Sequence, residues 1–238
     1  TWSPLLNIAT DEQALLAYGN RQSFDDSESG AGHRLAPSGF DKVLYGVNYQ
    51  VQLAEGQIGF GAHRVDTTDA GTPALPMDVT YIDATRYEFT GQLPMGSYDL
   101  DWALGYLDSK HGMDNYSQRM NNMPDMHRTN TAAAKTTTLK FHLIRDTALG
   151  RLSVGADGYW SSHDSTVTSP NNMMFNIKNF IEAKDNRFGL FAELEGSYEG
   201  GGITLGVRMK THEQDSGEVD HHMTMMNPSI KTLKANFN

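Results

Sequence analysis

Between Val43 and Leu53 every second residue is apolar: Val43, Tyr45, Val47, Tyr49, Val51 and Leu53, with Asn48, Gln50 and Gln52 among the residues between them. A period of two makes a strand with one apolar face. The residues AEGQ then turn the chain, and Ile58, Phe60 and Ala62 alternate with Gly59, Gly61 and His63, which predicts a hairpin. The unit recurs. Tyr87, Phe89 and Leu93 are followed by the turn PMGS and by Tyr98, Leu100, Trp102, Leu104 and Tyr106. Leu139, Phe141 and Leu143 lead through DTALG to Leu152, Val154, Ala156 and Trp160. Phe188, Leu190, Ala192 and Leu194 pair across SYEGG with Ile203, Leu205, Val207 and Met209. Glu12 to Asn20, with Ala14, Leu16 and Tyr18 in phase, predicts an earlier strand, and Leu233, Ala235 and Phe237 begin a last one.

The connections alternate too. Short turns close one end of each hairpin and long segments the other, over 20–41, 66–84, 108–136, 161–186 and 211–229. Structureless loops of that length are unusual in compact soluble domains, whereas outer-membrane barrels sort short periplasmic turns from long extracellular loops. Strands of about ten residues match a tilted crossing of a bilayer. Apolar residues facing lipid, polar ones facing a wet lumen, and Tyr45, Tyr98, Tyr106 and Trp160 at the interfaces complete the expectation. The fold class expected is all-β, a transmembrane antiparallel up-and-down β-barrel of the outer-membrane type. Residues 1–238 form one partial barrel of about nine or ten strands. A soluble β-sandwich whose apolar faces stack as a core is the competing architecture.

Composition narrows the functions. Hydrophobic residues make up 38% of the chain, below the soluble average of about 45–50%, and no run of about 18 apolar residues could cross a membrane as a helix. Cysteine is absent, which excludes thiolate nucleophiles and Cys-ligated metals within the chain. A net charge of −10 argues against nucleic acid as a partner and for a surface that attracts cations. The N-terminus TWSPLLNIAT carries no basic and apolar export signal.

Ten of the twelve methionines fall in the long connections: Met77, Met113, Met120, Met123, Met126, Met173, Met174, Met223, Met225 and Met226. Methionines that filled a core would follow strand parity, and these avoid it. Thioethers are soft donors that select Cu(I), and imidazole also serves copper. Counting in twos from Asp99, Asp101, Ala103 and Gly105 reaches His111 and Met113, so both are expected on the lumen face of one strand. On its own a His-x-Met pair is common by chance.

The stretch HGMDNYSQR at the strand's rim, the Met- and His-rich loop after it and the later DNRFGLFAELE resemble the TonB-dependent outer-membrane copper receptors. The resemblance implies a parent barrel of about 22 strands filled by an N-terminal plug. It also implies a copper site made by a Cys-x-x-x-Met pair of the plug and a His-x-Met pair of the barrel, which His111 and Met113 match. The chain has no cysteine, plug-like segment or TonB box, and is expected to be an internal piece of the barrel. The expected function is binding and import of copper, Cu(I) foremost and Cu(II) also, in the bacterial outer membrane, with the long loops extracellular. The partners implied are outer-membrane lipid, the plug and remaining strands, and TonB through the plug.

Met120, Met123, Met126 and His127 are candidate secondary ligands, as are His221, His222, Met223, Met225 and Met226 in the last long loop. The spacing of three in the first group equally suits a helical turn packed on a neighbouring loop. Met173 and Met174, in MMFNIKNFI, are expected to bury themselves in an amphipathic loop element. Asp99, Asp101, Asp157, Glu193 and Glu195 are lumen charges, ordinary for a hydrated interior. The alternatives to copper import are a receptor for a siderophore or another metal complex and, more distantly, a small barrel protease built from Asp108, His111, His163 and Asp164, for which no nucleophile motif exists. No enzymatic activity is expected.

Overall fold

The computed structural model describes residues 1–220; the expected strand around Leu233 and the candidate ligands His221, His222, Met223, Met225 and Met226 lie outside the described residues. Twelve strands follow one another: β1 (Leu5–Ala9), β2 (Gln13–Phe24), β3 (Ser27–Glu28), β4 (Arg34–Leu35), β5 (Phe40–Gln52), β6 (Gln57–Ala70), β7 (Asp78–Met95), β8 (Tyr98–Asp114), β9 (Thr129–Thr147), β10 (Gly150–Ser169), β11 (Asn172–Tyr198) and β12 (Gly201–Asp215). Ten of them form one antiparallel sheet in the order β1-β2-β5-β6-β7-β8-β9-β10-β11-β12, with β3 and β4 as a small separate hairpin. Each main strand pairs only with its sequence neighbours, as in an outer-membrane barrel. Among the described residues the sheet is not closed, and β1 and β12 are its two edges.

Burial decides between the two architectures the sequence allowed. No apolar side chain among the described residues is buried, and the only other sheet among them is the two-stranded β3–β4 hairpin, too small to cover the apolar face of the first. The sandwich is therefore excluded. Direct ladder partners share a face, so the registers trace the apolar band. Tyr87, Tyr106, Thr137 and Trp160 stand at one level near its upper edge. Near the lower edge the guanidinium of Arg145 lies 5.1 Å above the ring of Tyr98. From Tyr98 to Tyr106 is roughly 26 Å of strand at about 3.3 Å per residue. With a tilt of about 40° the band is roughly 20 Å tall, near the outward apolar band of about 25 Å in such barrels. Gly56 and Gly96, with φ of 96° and 68°, supply the left-handed positions that close two of the short turns.

Three expectations change. The long connections are mostly strand: β10 and β11 run to Ser169 and from Asn172, so the segment 161–186 is a tall hairpin rather than a loop. Above the apolar band both faces are wet, so the side-chain alternation lapses while the backbone ladder continues. The phase of β2 is also the reverse of what its apolar residues suggest. Ala14, Leu16 and Tyr18 pair with Gln50, Asn48 and Gly46 on the polar face, and Leu15 and Ala17 pair with Tyr49 and Val47 on the apolar one. Finally, Met173 and Met174 do not bury themselves: they are 95% and 93% exposed at the tip of the tall hairpin.

Candidate metal centre

His111 and Met113 lie in the last turnward residues of β8, on the face shared with Asp101 and Ala103. His111 is flanked in the ladder by Ile82 of β7 and Ala132 of β9, and Met113 by Val79 and Asn130. Of the two ladder neighbours of His111, Ala132 is the small one. A β-bulge between Val79 and Tyr81 faces the pair, a device that bends a strand and re-aims side chains.

Three other histidines of the sheet spend a ring nitrogen, whereas His142 of β9, whose ring lies 5.5 Å from that of Phe191, leaves Nε2 without a partner and has no thioether beside it. His63 Nδ1 is 2.6 Å from the hydroxyl of Tyr18, His163 Nε2 is 2.7 Å from Ser161 Oγ, and His212 Nε2 is 2.9 Å from Asp185. His127 spends both: Nε2 is 2.9 Å from the carbonyl of Asn121, Nδ1 is 3.2 Å from the amide of Asn171, and the ring stacks on Tyr116 at 4.6 Å. That commits His127 to bracing its loop. Among the described residues no hydrogen bond engages the imidazole of His111. Nor does any cluster of three or more His, Asp or Glu side chains there form a metal site. One imidazole and one thioether are therefore what this wall of the sheet offers a soft cation, with further donors to come from elsewhere.

Above the pair the connections are tied together. Met120, Met123 and Met126 are exposed on the β8–β9 connection, the last at the end of a short 3-10 turn (Pro124–Met126). The amide of Asn171, on the β10–β11 turn, donates to the carbonyl of Pro124 at 2.8 Å, and the guanidinium of Arg128 sits 4.0 Å over the ring of Phe175. Exposed methionines on both connections thus share one rim.

No pattern or spacing along the chain pointed to the buried ion pair beside the site. Asp78, fully buried, accepts from Arg119 Nε at 2.6 Å and Nη2 at 2.5 Å, and from the backbone N–H of Thr72 at 2.8 Å. Arg119 spends its remaining fork on the carbonyls of Leu75 and Thr72. Burial works against ionisation of Asp78, but the bonds and charge of Arg119 and the donors of Thr72 outweigh it and hold the carboxyl below its ordinary value. Forty-one residues separate the partners, and no spacing rule links them.

Lumen charges pair where the strands bring them together, as with Asp157 and Arg208 Nη2 at 2.5 Å. The pieces of a protease do not assemble. Asp108 and His111 have opposite parity on β8, and so have His163 and Asp164 on β10.

No family model matches the chain, and no curated protein matches it. Among solved structures the chain resembles the copper transporter OprC, with a TM-score of 0.75 at 18% sequence identity over 90% of this chain. That likeness is one of fold: an outer-membrane β-barrel, of which the chain spans about a third, 35% of the length of OprC.

Proposed function

We propose that the chain is part of the barrel of a TonB-dependent outer-membrane receptor that binds and imports copper, with the long-connection end of the sheet facing outward. The observation that carries the reading is the uncommitted imidazole of His111 beside the thioether of Met113, on the polar face just below a rim of exposed methionines. The fold it shares with a copper transporter supports it. Thioether and imidazole favour Cu(I), which is the cargo here rather than a resident cofactor.

In this reading the rim methionines capture the ion and the pair holds it inside the mouth. A thioether and an imidazole nitrogen are soft to borderline donors without a carboxylate among them, so the pair favours a soft monovalent ion over a hard divalent one. The remaining donors come from a plug that fills the barrel, and TonB acts through that plug. Met120, Met123 and Met126 serve as secondary sites, and the neighbouring Met173 and Met174 extend the same surface. The test is the copper content of the purified full-length protein by mass spectrometry. His111→Ala with Met113→Ala is expected to remove most bound copper, and undiminished copper in the double variant refutes the site.

A further inference from the structure

We infer that Arg119, through its clamp on Asp78, is a positioning residue for Met113; the inference rests on the copper reading of the His111 and Met113 pair. The chain leaves β8 immediately after Met113, and every bond of that exit is specified. Asp114 Oδ1 accepts from the backbone N–H of Tyr116 at 3.1 Å, from that of Ser117 at 2.9 Å and from the Ser117 hydroxyl at 2.8 Å. Gln118 then reaches back and donates to the carbonyl of Val79 at 2.8 Å. Val79 is the residue opposite Met113 in the ladder. Arg119 finishes the wrap by closing on Asp78, the residue before Val79, and on the carbonyls of Leu75 and Thr72.

The wrap therefore fixes both sides of Met113: the segment that follows it, and the end of β7 next to it. Its geometry spares the site. Asp114 follows Met113 and points to the opposite face, so the turn anchors the backbone from behind and leaves the thioether free on the polar side. His111 needs no such help. It lies two residues deeper, with continuous ladders to Ile82 and Ala132 below the bulge. The fork of Arg119 makes two parallel bonds to one carboxylate, a geometry lysine cannot reproduce.

The two donors should consequently respond differently when the clamp opens. The experiment is copper K-edge X-ray absorption and Cu(I) affinity on the full-length protein, with Arg119→Gln and Arg119→Lys as the variants and resistance of the barrel to unfolding in detergent as the fold control. Supporting structure around a metal site changes affinity by about 10- to 100-fold, and a loss in that range is expected for both variants. The sulfur count at copper should fall by one while the imidazole contribution stays, and the lysine, which keeps the charge and the fold, should show the same loss. An unchanged sulfur count in Arg119→Lys overturns the inference, as does parallel loss of sulfur and imidazole. Failure of the copper reading itself looks different: His111→Ala and Met113→Ala then leave the wild-type spectrum unaltered.

Discussion

Asp78 and Asp114 are direct partners in the ladder between β7 and β8, and both are buried, at 0% and 4% exposure. Like charges placed opposite one another destabilise a sheet, so each carboxylate needs its own compensation. Arg119 neutralises Asp78, while Asp114 is satisfied by the two N–H groups and the hydroxyl of its turn. Removing one partner of a buried pair costs about 3–5 kcal/mol, because the other charge is left uncompensated. Arg119→Gln should release residues 72–79 and 114–119 to rapid amide exchange, measured by hydrogen–deuterium exchange mass spectrometry, with the short-turn end of the sheet unaffected.

The same pair sets a pH limit. The carboxyl of Asp78 is held below its ordinary value, burial opposing this and Arg119 and Thr72 prevailing. A depressed carboxyl stabilises the fold above its unfolded pKa of about 3.9, and that contribution is lost as pH falls through the lower folded value. Exchange in the 72–79 segment, corrected for the intrinsic pH dependence, should be flat from neutral pH down to about 4 and rise only below it.

Methionine oxidation distinguishes the two faces of the sheet. Met173 and Met209 are 95% and 72% exposed on the isolated chain, yet Met209 lies on the apolar face, at the level of Leu190 and Ala156. Dilute hydrogen peroxide transfers one oxygen to a thioether, giving sulfoxide and water. In lipid, peptide mapping should find Met120, Met173 and Met174 oxidised and Met209 protected. Equal oxidation of Met209 argues that this face is not covered by lipid.

Charge placed on adjacent residues of β8 makes a second test of the faces. Leu104 points to the apolar band and Ala103 to the polar face. An arginine at the midplane of the lipid face costs about 2–4 kcal/mol. Leu104 lies between the centre of the band and its upper edge, so Leu104→Arg should lower barrel stability by about 1–3 kcal/mol in a denaturant titration, between the midplane and interface costs, and Ala103→Arg should leave it nearly unchanged.

Which features could be read from the chain follows from where water and lipid lie. Tyr98 to Tyr106 and Leu152 to Trp160 were readable because one face meets lipid and the other water, which forces strict alternation. Ser161, Ser162, Ser165, Thr166 and Thr168 of β10 carry no such signal, since above the band both faces are wet. Tyr18 misled because its phenol serves the polar face, where it bonds His63 across Gly46. His111 and Met113 could be placed by counting in twos from the band. Arg119 and Asp78 could not, because their meeting depends on two connections folding against each other.

The Tyr18 and His63 bond can itself be tested. A Cβ added to Gly46 would lie 2.7 Å from His63 Nδ1 and 2.8 Å from the Tyr18 hydroxyl, so Gly46→Ala must push the two apart. The expected loss is about 1 kcal/mol, the net worth of one hydrogen bond. Tyr18→Phe should cost a similar amount in the same denaturant titration, and the double variant little more than either alone.

Anomalous scattering at the copper edge, from crystals of the full-length protein loaded with Cu(I) under reducing conditions, addresses copper recognition most directly. The expected result is a single strong peak within bonding distance of an imidazole nitrogen of His111 and the sulfur of Met113. A peak elsewhere with none between these two side chains, or their divergence to opposite faces of β8, contradicts it.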